Sequence, residues 1–254
     1  MLVIISPAKS LNFKNNSPVS QYSNALYPKR AEQLVKVLQN YTSKKLCELM
    51  NISSGLGELN YLRYQKWNSA HTPVNAKQAI FAFNGEVYSG LKACELDEQQ
   101  IHFTQKHVRI VSGLYGVLLP LDLIQPYRLE FGVKLKFNKH KNLYHYWGDI
   151  INSQINHDLE TMESKTLINL ASKEYSKAAI LKNINGKVIT PVFKEYKGES
   201  CKIITVYAKK ARGLMTRFII DNKITNPEEI KLFDTDGYLY NDNLSTESEW
   251  IFTR

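Results

Sequence analysis

Short apolar runs that each empty into a turn of small polar residues recur along this chain, and that recurrence is the strongest constraint on its fold. Leu2 to Ile5 is wholly apolar and is followed at once by Ser6-Pro7-Ala8-Lys9-Ser10. Val108 to Val111 passes into Ser112-Gly113-Leu114-Tyr115-Gly116, and Thr166 to Leu170 passes into Ala171-Ser172. Such a run suits a strand buried on both faces, as in a parallel sheet covered by helices. Further strands are expected at Ile80 to Phe83, ending in Asn84-Gly85, and at Lys187 to Phe193, where Pro191 argues for an edge or a bulge.

Helical patterns lie between these runs. From Pro28 onward, Ala31, Leu34, Val35 and Leu38 share a face; Asp97 can cap a helix over 98–106; Tyr144 to Leu159 aligns Trp147, Ile150, Ile151 and Ile155. With 254 residues, 43% of them hydrophobic, the chain can bury a full core, and no linker-like tract divides it. The expectation is an α/β fold: a single mixed-sheet domain over 1–254, flanked by helices.

In open α/β sheets, ligands collect outside the carboxyl ends of the strands. If those ends lie together, Ser6, Asn84-Gly85, Ser112-Gly113, Asn169 with Ser172, and Ala208-Lys209 line one cleft. Lys202 to Ile220 would then supply its charge. It reads as a strand to Ala208 and a helix after it. Tyr207, Ala208, Ala211, Leu214, Met215, Phe218 and Ile219 fall on one side, and Lys209, Lys210, Arg212, Gly213, Thr216 and Arg217 on the other. Four Lys/Arg and no Asp or Glu stand between Tyr207 and Ile220, beside helix amides able to bind an anion. Gly213 reads either as room for a sugar-phosphate or as a packing notch.

Residues 43–68 read as helix, tight turn, helix, with Ile52-Ser53-Ser54-Gly55-Leu56-Gly57 between two apolar-periodic runs. The turn is similar to that of a helix-hairpin-helix, in which glycine amides approach a DNA phosphate. A second small residue expected four positions on is Tyr61 here, so an ordinary pair of helices is the alternative. Arg63 follows on the second helix.

Charge is uneven. Residues 221–254 hold eight Asp/Glu against three Lys/Arg, a net of −5; the chain's +9 therefore leaves +14 on residues 1–220. Such a body attracts polyanions and phosphates. Leu118 to Glu130 is apolar but broken by Pro120 and Pro126; Asp122 in it reads as structural, while Arg128 and Glu130 either pair or face a ligand. Cys47, Cys94 and Cys201 form no CxxC, as expected of reduced thiols, and the paired His spacings of five do not suit a metal. No metal or cofactor is expected. The opening apolar run is too short for a signal peptide or a membrane span, so a cytoplasmic protein with no membrane association is expected.

SPAKSLNF at 6–13, VSGLYGVLLPLDLIQPYRLEFG at 111–132, YHYWGDII at 144–151, INLASKEY at 168–175 and YAKKARGLMTRFII at 207–220 resemble the YaaA family of bacterial peroxide-stress proteins. The resemblance implies a role in surviving hydrogen peroxide and in limiting free iron and iron-driven DNA damage. It also implies a positively charged cleft, a helix-hairpin-helix element and DNA binding.

Two functions follow from the residues. The first is DNA binding, duplex or distorted and not sequence-specific, through phosphates held by Lys9, Gly55, Gly57, Arg63, Lys209, Lys210, Arg212, Gly213 and Arg217, with Tyr115 and Tyr127 stacking on unpaired bases. The second is an enzyme acting on a nucleotide or other phosphate-bearing small molecule, with Ser6, Lys9, Ser112, Tyr115, Arg128, Glu130 and Asn169 as its groups. Direct iron sequestration ranks last, since no ligand cluster is visible.

Overall fold

The computed structural model describes residues 1–198 and 200–254. Among them the main sheet has eight strands: β1 (Leu2–Ile5), β2 (Val108–Ser112), β3 (Gly116–Leu118), β4 (Thr166–Leu170), β5 (Lys187–Lys197), β6 (Ser200–Lys202), β7 (Leu239–Tyr240) and β8 (Glu249–Thr253). Their order is β7-β8-β5-β4-β1-β2-β3, with β6 paired to β5. β1 runs parallel to β2 and β4, and β5 runs parallel to β4 and β8. Antiparallel pairing enters at β3, β6 and β7, so the sheet is mixed. All four side chains of β1 are fully buried, as its unbroken apolar run requires.

β1 is the topological switch point. The chain leaves it to build β2 on one side, then returns to build β4 on the other. Register aligns the strand ends there: Ile5 stands beside Ile110 and Leu170. Whatever follows Ile5 and Leu170 must emerge side by side. Two small sheets brace the surroundings. Ser10–Leu11 pairs with Phe83–Asn84, and Asp122–Ile124 pairs with Ser23–Asn24 and Lys77–Gln78.

The helices are α1 (Pro28–Gln39), α2 (Ser43–Met50), α3 (Ser54–Lys66), α4 (Glu86–Leu91), α5 (Glu98–His107), α6 (Leu143–Trp147), α7 (Ile150–Glu160), α8 (Lys173–Ala178) and α9 (Thr205–Asp221). α1 buries the face its spacing marks, and Asp97 caps α5 in a reciprocal box with Gln100. No helix among the described residues is long and apolar enough to cross a membrane.

Five local expectations need correction. Ala79–Ala82 forms a helical turn where a strand over Ile80 to Phe83 was expected. The single helix over Tyr144 to Leu159 is two, because Gly148 breaks it at φ 49°. The strand expected to reach Ala208 stops at Lys202 and α9 starts at Thr205; packing of α9 on α4 outweighs the strand preference of Ile203, Ile204 and Val206. Pro191 lies in β5, a central strand of the sheet and not an edge strand as a whole. Pairing with β4 ends at Ile189 while β8 continues alongside, so the missing N–H falls on the side of β5 that is open there, a local edge within a central strand.

The fifth correction concerns Gly55 and Gly57. The turn between α2 and α3 is made by Asn51, in the left-handed region at φ 50°. Both glycines lie inside α3 without positive φ. A Cβ on Gly57 would stand 2.1 Å from Cys47 Sγ and 2.9 Å from Ser43 O, so this glycine is a contact notch between two helices. The glycines therefore do not form the turn, and the arrangement described is a helix pair joined at Asn51.

Candidate active site at the switch point

A cavity of about 320 Å³ opens at the carboxyl ends of β1 and β4. Ser6 to Ser10 leave β1 along one wall, and Ser172, Glu174 and Tyr175 leave β4 along another. The two walls are joined directly: Ser172 N donates to Ser6 Oγ at 2.9 Å. Asn84 to Tyr88 form a third wall, tied to the first by the Ser10–Leu11 strand pairing and by Tyr88 Oη donating to Ser6 O at 3.1 Å. Tyr127 to Glu130 close the floor, and Lys209 and Arg212 reach in from α9.

Two facing glycines bring α9 here. A Cβ on Gly213 would lie 1.8 Å from Val87 O, and one on Gly90 would lie 2.4 Å from Lys210 O. α4 and α9 therefore meet backbone to backbone, and no larger side chain fits either position. Gly213 is buried and serves this contact, a correction to its expected place on the cationic face. Thr216 is buried with it, while Tyr207, expected in the core, is exposed.

The charges of the cleft are mixed. Lys9, Arg128, Lys209 and Arg212 face Glu86, Glu130 and Glu174, so the cleft expected to be basic has a lining of mixed sign. Arg128 Nη2 bonds Glu130 Oε1 at 3.0 Å, and Lys9 Nζ lies 3.3 Å from the same oxygen. That convergence leaves Glu130 Oε2 and Arg128 Nε buried without hydrogen-bond partners. Glu174 Oε1 accepts from Gly132 N at 2.7 Å. Lys209 and Arg212 have no acidic partner among the described residues. Burial lowers the pKa of the half-buried Arg212, the mark of a desolvated charge with nothing opposite to compensate it.

The other α9 cations are already engaged. Lys210 Nζ lies 3.5 Å from Asp236; Arg217 holds Asp221 at 2.7 Å and approaches Glu95 at 3.6 Å. The anticipated ridge thus divides, with Lys209 and Arg212 in the cleft and Lys210 and Arg217 on neighbouring carboxylates. The helix N-terminus at Thr205 lies a turn or more before these cations, so its amides do not join them.

Three residues expected to touch a ligand support the site from beneath. Ser112 is fully buried; its Oγ bonds Tyr127 Oη at 2.7 Å and accepts from Leu114 N and Tyr115 N. Tyr115 is likewise fully buried, its hydroxyl held by Gln125 N, Trp67 Nε1 and His71 Nε2, so it cannot stack on a base. Tyr127 lines the cleft but is 4% exposed, too little for stacking. Asn169 accepts from Ala171 N and donates to Thr190, shaping the turn that delivers Ser172. Arg63 donates to Asn60 and does not line the cleft, nor do Gly55 and Gly57.

Tyr88, Glu86, Glu174 and Tyr175 were not among the sequence candidates. Each lies two to five residues beyond a strand end, at Asn84 or Leu170, and reading only the first residues of each turn missed them. Tyr175 is the most suggestive: it lines the cleft, and its hydroxyl has no hydrogen-bond partner among the described residues. Burial, then the nearby Glu174 carboxylate, pushes its pKa far up, so it stays a neutral O–H donor.

Comparison with known proteins gives one consistent match. Residues 1–244 match the family described as "Peroxide stress protein YaaA". The chain is 47% identical over 254 residues to a UPF0246 protein of Neisseria meningitidis serogroup B, covering 100% of this chain and 98% of that protein. A UPF0246 protein of Aliivibrio fischeri is 45% identical with the same coverage, and one of Saccharophagus degradans is 47% identical over 100% of this chain and 99% of its own length.

Proposed function

The chain belongs to the family of the peroxide stress protein YaaA, and on that premise we propose that it binds DNA through backbone phosphates without reading base sequence, and so helps limit iron-driven oxidative damage. The observation that carries the reading is Arg212, a half-buried guanidinium with no carboxylate partner among the described residues, beside Lys209, which has none among them either. A guanidinium in that state gains from a phosphate both charge and a planar pair of hydrogen bonds. Lys9, 67% exposed and loosely bridged to Glu130, adds a third cation at the rim. The overall charge of +9 favours encounter with a polyanion. Lys210 and Arg217 are left out of the contact set, because neither lines the cleft and each lies against a carboxylate outside it.

The test is salt-dependent binding. Anisotropy of a labelled duplex, titrated with protein across a range of salt, gives a slope of log affinity against log salt. Each duplex phosphate contact contributes about 0.9 to that slope. Lys209→Ala/Arg212→Ala is expected to lower it by about two units, while Lys210→Ala/Arg217→Ala leaves it near wild type. An unchanged slope in the first pair removes the proposal. Nicking of a plasmid by ferrous iron and peroxide, with wild type or the first pair present, tests the protective role: protection is expected from wild type alone.

A further inference from the structure

The rim of the cleft explains attraction for a phosphate, but its interior is built for something smaller than a polymer. A cavity of about 320 Å³ lies in the size range of small-molecule sites. Its carboxylates, Glu86, Glu130 and Glu174, would repel a run of backbone phosphates and leave room for one anionic group only. Lys209 and Arg212 together match the two charges of a phosphate monoester. Deeper in, unmet hydrogen-bonding capacity of both kinds is concentrated. Glu130 Oε2 and Arg128 Nε are buried without partners, and the Tyr175 hydroxyl has none among the described residues. Buried polar groups left unpaired are costly, and a partner with hydroxyls satisfies both donors and acceptors.

The geometry points to the cleft interior as a binding site for a small phosphate monoester bearing free hydroxyls, the chemistry shared by mononucleotides and sugar phosphates. Arg212 and Lys209 hold the phosphate; Glu130 and Tyr175 take hydroxyls of the ligand. Lys9, which is largely exposed, can leave Glu130 at little expense as the ligand enters. Arg212 and Lys209 are shared with the DNA reading, so the small ligand competes with DNA. The role of Glu130 and Tyr175 does not depend on that reading.

The experiment is calorimetric titration of the whole chain, without DNA, against inorganic phosphate, ribose 5-phosphate, AMP and adenosine. The expected result is that ribose 5-phosphate or AMP binds at least tenfold tighter than inorganic phosphate, and that adenosine does not bind. AMP outbinding ribose 5-phosphate identifies the mononucleotide, and the reverse identifies the sugar phosphate. Arg212→Ala should abolish every phosphate response. Tyr175→Phe and Glu130→Gln should each weaken the hydroxylated probes about tenfold and leave inorganic phosphate unchanged. Should Glu130→Gln fail to fold, Tyr175→Phe decides. Hydroxylated probes binding no better than inorganic phosphate, or no probe binding while the duplex still binds, overturns this inference and leaves the DNA reading intact. AMP binding by a chain that ignores DNA does the reverse.

Discussion

Asp122 is fully buried, and two groups address its carboxylate: Ser23 Oγ donates at 2.6 Å and Leu119 N at 2.8 Å. Burial nevertheless outweighs them and pushes its pKa up to about 6. Between its ordinary value of 3.8 and about 6, the folded chain holds a proton that the unfolded chain has released. Stability contributed by that proton is present below the window and is lost as pH rises through it. Asp122→Asn has no such proton. Wild type is therefore expected to lose roughly 3 kcal/mol relative to Asp122→Asn between pH 3.5 and pH 6.5, read from denaturant midpoints at several pH values; parallel curves would show that the hydrogen bonds cancel the effect of burial. The structural role of Asp122 was legible in the sequence, because a lone carboxylate in an apolar, proline-broken stretch needs local donors. The role of Tyr115 was not. Tyrosine in a glycine-rich turn looks like a ligand group, and only the convergence of Trp67, His71 and Gln125, from distant parts of the chain, shows its hydroxyl to be fully engaged.

At the level of elements, three glycines that look alike in the sequence do three different things. Gly55 lies in α3 with open space where a Cβ would stand; Gly57 is closed by Cys47, and Gly213 by the backbone of α4. Gly55→Ala is expected to stabilise the fold by up to about 1 kcal/mol, through helix propensity alone. Gly57→Ala should destabilise by about 1–3 kcal/mol, as overpacked sites do, and Gly213→Ala by at least as much, since its obstacle is main chain and cannot rotate away. Thermal unfolding of the three variants separates these cases. Loss of stability in Gly55→Ala would mean that the glycine holds a conformation closed to alanine, and would revive the glycine turn expected from the sequence. Neighbouring strands and helices were readable from period and capping. A glycine's partner was not, because the contact joins α4 to α9 across more than a hundred residues.

The charge asymmetry of the whole chain acquires a physical form once the sheet is assembled. β8 docks in parallel on β5, and the turn at Thr235–Gly237, which precedes β7, packs against α9. Asp236 there lies 3.5 Å from Lys210 and 2.8 Å from Arg254, while Arg254 also holds Glu195 at 2.9 Å. Segment charges alone gave a body of +14 beside a tail of −5. They gave no sign that the tail folds back to neutralise part of the basic helix, because pairing depends on the order of strands. If the tail limits how much of α9 an anion can reach, then Asp236→Asn frees Lys210 and removes a repelling charge, while Glu195 keeps Arg254 in place. Duplex affinity at low salt is then expected to rise severalfold, with the salt slope steeper by up to about one unit, the value of one added phosphate contact. Thermal stability should change little, since both pairs of Asp236, with Lys210 and with Arg254, are partly exposed, such pairs contribute about 0–1 kcal/mol each, and Asn keeps an acceptor for Arg254. An unchanged slope with unchanged affinity would place Lys210 off the path of the bound strand and confine DNA contact to the mouth of the cleft.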